Sequence, residues 1–183
     1  MTSKASPFDL VVFDFKGTLQ EKNAKKSQSD KEAKKLLKLR KRTENLYSVL
    51  EKVNTTSLPP FEDFFASFLN IKEKFDKEKP GCYSWSEILD IIREEYQLVD
   101  ISQYYNQFLD TIPASLYPGT KELLQRIQEN NIPMVMLRNS NLSRVSMEET
   151  LHKLGIAKYF KYIVTSGEIG ARKPDKRVFE FCV

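Results

Sequence analysis

Six residues near the N-terminus, Phe8-Asp9-Leu10-Val11-Val12-Phe13, are β-branched and aromatic enough to form a buried strand, and they run straight into Asp14-Phe15-Lys16-Gly17-Thr18. A short apolar strand that stops at an aspartate and a glycine turn must be covered by other elements, and it holds a carboxylate at its carboxyl end. Chemistry placed at Asp14 therefore sits where strand meets loop.

The pattern after that turn is helical for about a hundred residues. From about 27 to 54, Leu36, Leu39, Leu46, Leu50 and Val53 follow 3-4 spacing with Thr43 filling the missing step, until Thr55-Thr56-Ser57-Leu58-Pro59-Pro60 stops the helix. Phe61, Phe64, Phe65, Phe68, Leu69 and Phe75 mark a second helix, ended by Lys79-Pro80-Gly81. A third opens on Ser84-Trp85-Ser86-Glu87, a capping-box sequence, and directs Trp85, Ile88, Leu89, Ile92 and Tyr96 inward. Ile101, Tyr104, Tyr105 and Phe108 suggest a fourth, shorter helix.

After Tyr117-Pro118-Gly119 the period changes. A helix over 119–130, an apolar strand over 132–137, a helix over 143–154, a strand over 161–165, a glycine-bearing loop and a helix start near 175 alternate in turn. Such alternation builds βαβ units on a parallel sheet, so the fold class is α/β. The expected organisation is a core of residues 1–18 and 117–183, with 19–116 as an all-helical insertion directly after the first strand.

Charge is unevenly spread. The 183 residues carry a formal net charge of +4, yet residues 21–42 alone contribute +7. The run contains no aromatic residue, its helix repeat is spaced for packing, and the mild overall charge argues against nucleic acid. A solvated helix face is the expected reading, ahead of an anionic membrane contact. Two cysteines, Cys82 and Cys182, and a single His152 build neither a disulfide framework nor a zinc site. Apolar stretches of four or five residues fall far short of the roughly 20 needed to span a bilayer, and the first seven residues lack a signal-peptide apolar core. The expectation is an intracellular protein, cytoplasmic by default, with organelle import left open.

The strand ending in Asp14-x-x-Gly17-Thr18-Leu19, a helical insertion, Tyr117-Pro118-Gly119, a strand ending at Arg138-Asn139, and Gly170-Ala171-Arg172-Lys173-Pro174-Asp175 together resemble the haloacid dehalogenase-like (HAD) hydrolase superfamily. The resemblance spans nearly the whole chain outside the insertion, which takes the place of the family's helical C1 cap. It implies a HAD-like, Rossmann-like parallel sheet. It also implies phosphoryl transfer in which an aspartate attacks phosphorus while Mg²⁺ neutralises charge on the transferring group. On this resemblance Asp14 is the nucleophile and a metal ligand, Gly17 and Thr18 form the turn that presents it, and Asn139 is the motif II asparagine. Lys173 is the motif III lysine, steadying the nucleophile and the developing oxyanions.

Three departures bear on activity. Phosphatases of this family place a second aspartate two residues after the nucleophile, as general acid and base, and Lys16 stands there; a lysine is mostly protonated at neutral pH and a poor base. Arg138 stands where motif II has Ser or Thr on the phosphoryl group, and using Ser140 instead would shift Asn139 out of register. Past Lys173-Pro174-Asp175 and Phe179 the family continues with a fourth strand bearing the acidic residues that complete the Mg²⁺ site, whereas this sequence stops at Val183. An octahedral Mg²⁺ needs more carboxylate oxygens than Asp14 supplies, and the first strand would keep an uncovered edge. Either the sequence is a fragment or splice product, or a partner protein covers that edge.

Lys16, Arg138 and Lys173 would thus set three fixed positive charges around Asp14, with Thr18 and Asn139 completing an anion-binding set. Two functions follow as expectations. In one the chain is a HAD-like pseudoenzyme acting as a binding or structural subunit, with a phosphate-bearing small molecule as a candidate ligand and no cofactor. In the other it is a working hydrolase or phosphatase that uses Asp14, Mg²⁺ and metal-site residues lying outside this sequence.

Overall fold

A computed structural model describes residues 9–21, 28–54, 57–100, 104 and 115–183, side chains of 28–31 excepted. The fourth helix expected over 101–108 lies outside the described residues, apart from Tyr104.

Three parallel strands form the sheet: β1 (Val11–Phe13), β2 (Met134–Arg138) and β3 (Tyr162–Thr165), in the order β1-β2-β3. Val12 lies opposite Val135, Met136 opposite Ile163, and Arg138 opposite Thr165, so the carboxyl ends of all three strands face the same way. β2 is the central strand, and Met134 through Leu137 are all buried, as expected for a strand covered on both faces. Alternation then sorts its side chains. Met134 and Met136 join Phe15, Leu124, Met147 and Leu151 in one apolar cluster, while Val135 and Leu137 join Val164, Ala171, Val178 and Cys182 in another. Among the described residues no strand pairs with the outer edge of β1, where Val12 remains 38% exposed.

The helices α4 (Thr120–Glu129) and α5 (Arg144–Lys153) connect these strands, and both begin within a residue of where the sequence places them. Ser143 caps α5 by accepting the Ser146 N–H at 3.2 Å. The loop expected after β3 instead contains a one-turn helix, α6 (Ser166–Ile169), ended by Gly170 at φ 64°. Such a left-handed stop is easy for glycine and too short to leave a periodic signal. A last turn, α7 (Arg177–Glu180), follows Asp175.

The helical segment contributes α1 (Gln28–Val53), α2 (Phe61–Glu78) and α3 (Trp85–Glu95). Leu39, Leu46, Leu50, Phe64, Phe68, Ile88, Leu89 and Ile92 form its buried core, each full burial contributing about 1.5–3 kcal/mol. The capping box closes as expected: Ser84 Oγ accepts the Glu87 N–H at 3.3 Å, and Glu87 Oε2 accepts the Ser84 N–H at 2.6 Å. Leu36 departs from the expected stripe. It is 51% exposed, because the apolar contacts of α1 begin one turn later, at Leu39.

The segment leaves and rejoins the sheet side by side. Glu21 N donates to Ser115 O and Tyr117 N to Leu19 O, both at 3.0 Å, so its two connections meet in an antiparallel bridge between Gln20 and Leu116.

Candidate functional site

The turn after β1 holds Asp14 at the strand's end. The Phe15 carbonyl accepts N–H groups from Thr18, Leu19 and Gln20 at 3.4, 3.0 and 2.8 Å, and Gly17 N donates to Gln20 O at 2.7 Å. Gly17 adopts φ 89°, the left-handed conformation that glycine reaches without strain. Phe15 and Leu19 are each only 1% exposed and anchor the turn in the core. The Asp14 carboxylate, by contrast, is 40% exposed and faces the carboxyl end of the sheet.

Lys173 reaches it from the loop after α6. Its Nζ donates to Asp14 Oδ1 at 2.6 Å and to Leu137 O at 2.9 Å, fixing the amine between the ends of β1 and β2. Asn139 sets the main chain that carries this lysine: its Oδ1 accepts Lys173 N–H at 2.8 Å and its Nδ2 donates to Lys173 O at 3.1 Å. Asp14, Asn139 and Lys173, three residues singled out in the sequence, therefore meet across separations of up to 159 positions.

Arg138 ends β2 on the same side of the sheet as Met134 and Met136. Its guanidinium lies 5.1 Å from the centroid of the Phe15 ring, and Nη1 donates to Met147 Sδ at 3.1 Å. A thioether is a weak acceptor and a guanidinium has five N–H groups, so most of its donor capacity is unspent on side-chain acceptors among the described residues. Burial lowers the Arg138 pKa, and the nearby Asp14 charge opposes that shift. Lys16 and Thr18 are placed differently. Both side chains are exposed, and Lys16 contributes its backbone to a bridge with Gln20.

The side chains present do not make a Mg²⁺ site by themselves. Among the described residues no three Asp, Glu, His or Cys side chains converge, and one oxygen of Asp14 already holds Lys173. Carboxylate and carbonyl oxygens in octahedral array are what Mg²⁺ requires.

The loop after β2 also meets the helical segment, which the sequence did not foretell. Asn141 Nδ2 donates to Tyr83 O at 2.8 Å, and Trp85 N donates to Asn141 O at 2.9 Å. Ser166 Oγ accepts Ser140 N–H at 2.9 Å and lies 3.1 Å from Gly81 O, while Arg172 Nη1 donates to Pro80 O at 3.3 Å. Gly167 permits this approach: a Cβ there would come within 2.7 Å of Tyr83 O and 3.1 Å of Ser140 O. The polar run Asn139-Ser140-Asn141 was the one available signal, since consecutive side-chain donors at a strand end commonly bond backbone. His152, given no role from sequence, is exposed on α5.

A model of the haloacid dehalogenase-like hydrolase family matches residues 8–183. Among curated proteins, the chain is 27% identical over 97 residues to the chloroplastic 5-amino-6-(5-phospho-D-ribitylamino)uracil phosphatase of Arabidopsis thaliana. That match covers 51% of this chain and spans 26% of the relative, about a quarter of its length. Among solved structures, the 2-haloacid dehalogenase of Pseudomonas syringae pv. Tomato DC3000 aligns with TM-score 0.52 and 18% identity, over 94% of this chain and 70% of that one. The HAD-hydrolase YfnB of Bacillus subtilis, whose structure is bound to magnesium, aligns with TM-score 0.46 and 20% identity, over 96% and 73%. No helix among the described residues is long and apolar enough to cross a membrane.

Proposed function

Because the chain belongs to the haloacid dehalogenase-like hydrolase family, we propose that it keeps the family's site for a phosphate-bearing ligand while having lost most or all of its hydrolytic power. In this reading residues 19–116 are a helical cap inserted into a core of 1–18 and 117–183, and the protein acts as a binding or structural subunit. The observation that carries it is Arg138 at the end of β2, its guanidinium held by Phe15 and Met147 with most of its donors unspent and close enough to feel the Asp14 charge, beside the Lys173 amine that both readings keep at Asp14. Fixed protein cations then occupy the surroundings of the nucleophile, and they neutralise an incoming oxyanion directly. Lys16 stands where a phosphatase of this family places its second aspartate, and a lysine is a poor general base in that role.

The ligand's phosphoryl oxygens would be taken by Lys173, Arg138 and the Asn139 amide, with Thr18 and Lys16 at the mouth. A partner protein lying along the outer edge of β1 would cover Val12 and satisfy that edge.

One observation favours a second reading. Asp14 is 40% exposed at the end of its strand with Lys173 beside it, the placement a nucleophile needs, and the curated relative is named a phosphatase. In that case Asp14 attacks phosphorus with a base other than Lys16, and Mg²⁺ is held with the help of residues beyond those described.

Release of inorganic phosphate from a panel of sugar, nucleotide and aryl phosphates, with Mg²⁺ present, decides between the two. The binding reading expects the full chain to match its Asp14→Asn variant on every ester. Turnover that depends on Mg²⁺ and disappears in Asp14→Asn would overturn it.

A further inference from the structure

Three consecutive polar residues follow β2, and each is bonded in a different direction. Asn139 grips the main chain of Lys173 with both atoms of its amide, at 2.8 and 3.1 Å. Ser140 exchanges hydrogen bonds with the start of α6: its N–H reaches Ser166 Oγ at 2.9 Å, and its carbonyl accepts Gly167 N–H at 2.9 Å. Asn141 grips the segment joining α2 to α3, donating to Tyr83 O and accepting Trp85 N–H. Ser166 Oγ sits between the two sides, within 3.1 Å of Gly81 O and 3.2 Å of Ser140 O.

We propose that Asn139, Ser140 and Asn141 form a two-sided coupler, in which Asn141 holds the helical segment and Asn139 holds Lys173, so that loosening either grip loosens the other. Two planar peptides join the gripping side chains, and the soft torsions between them are held at Ser140, whose N–H and carbonyl are both bonded to the start of α6. Close packing removes the remaining slack. Gly167 leaves no room for a Cβ against Tyr83 O and Ser140 O, and Arg172, next to Lys173 in the chain, bonds Pro80 O on the far side. Asn141 is in these terms a positioning residue. It touches neither Asp14 nor Lys173, yet it sets how firmly the lysine is presented. Coupling of this kind is reciprocal in free energy, which gives it a signature that simple loss of a local contact lacks. Its consequence for ligand rests on the anion-binding reading above; the coupling itself does not.

Hydrogen exchange of the full chain without ligand, followed by mass spectrometry, reads both sides at once. Asn141→Ala is expected to speed exchange in peptides covering 80–86 and also those covering 170–175, each by about fivefold or more. Asn139→Ala is expected to do the same in the reverse direction. Asn141→Asp keeps the shape but loses the donor to Tyr83 O, and it serves if the alanine variant fails to fold. Leu124→Val, a destabilising change in α4 away from this loop, is the control and should leave the ratio of the two regions unchanged. Effects confined to 80–86 in the Asn141 variants and to 170–175 in the Asn139 variant would overturn the proposal. Titration with inorganic phosphate separates the two claims: reciprocal exchange without phosphate binding keeps the coupler and sinks the anion-binding reading.

Discussion

Replacing Lys173 by methionine removes one amine from two acceptors and keeps the length of the side chain. The amine donates to Asp14 Oδ1 at 2.6 Å and to Leu137 O at 2.9 Å. A hydrogen bond to a charged group contributes about 1.5–3 kcal/mol, and with the Asp14 side chain 40% exposed, solvent screening reduces this to about 1 kcal/mol. The Leu137 carbonyl, left without its donor, adds about 1 kcal/mol. Lys173→Met should therefore cost about 2 kcal/mol, a fall of about 4–8 °C in Tm for a chain of this size. A double-mutant cycle isolates the ion pair. Asp14→Asn combined with Lys173→Met should be less destabilised than the sum of the single variants by about 1 kcal/mol. Urea unfolding of the four proteins supplies the numbers. Strict additivity, or a Tm unchanged in Lys173→Met, would show that the two side chains do not hold each other and would remove the basis of the site described here.

Other consequences follow from single elements. Ser84→Ala opens the capping box of α3 and should cost about 1 kcal/mol, with Ser84→Asp recovering most of it in the same urea titration. Leu46→Ala leaves a cavity at a side chain with no exposed surface, and the thermal midpoint should register a loss of about 2–5 kcal/mol. Tyr83 supplies a pH test: burial, and then donation of its hydroxyl to Asp76 at 2.6 Å, push its pKa well above the usual tyrosine value. A raised folded pKa means that this contribution is complete below about pH 10, the unfolded value, and fades as pH climbs beyond it. The wild-type urea midpoint should accordingly fall more steeply between about pH 9.5 and 11 than that of Tyr83→Phe; parallel slopes would contradict the assignment.

The parts legible in the sequence were those with a period or a required conformation. Met134 to Leu137 read as part of an apolar strand because no polar residue interrupts them, and Ser84 to Glu87 read as a helix start because reciprocal capping needs those two side chains three apart. The triad Asp14, Asn139 and Lys173 was legible through its motif order. Leu36 was misplaced because periodicity says which face a residue occupies and not where along the helix its neighbour begins. Lys16 and Arg138 show the same limit within the site. Their charges were plain, but an exposed stem carries one outward, while Phe15 and Met147 hold the other against the core. The polar run Asn139 to Asn141 signalled bonds to backbone, but nothing local announced that Asn141, Ser166 and Gly167 would meet Pro80 to Trp85. Contacts between segments some 60 to 90 positions apart are fixed by packing and leave no mark in composition or period.

Calorimetric titration of the full chain with inorganic phosphate, once in EDTA and once in excess Mg²⁺, tests the central claim most directly. Fixed cations at Lys173 and Arg138 predict saturable binding of the same affinity in both buffers, weakened at least about tenfold in Lys173→Met and in Arg138→Met. Binding that appears only when Mg²⁺ is present, or that survives both substitutions unchanged, would contradict it.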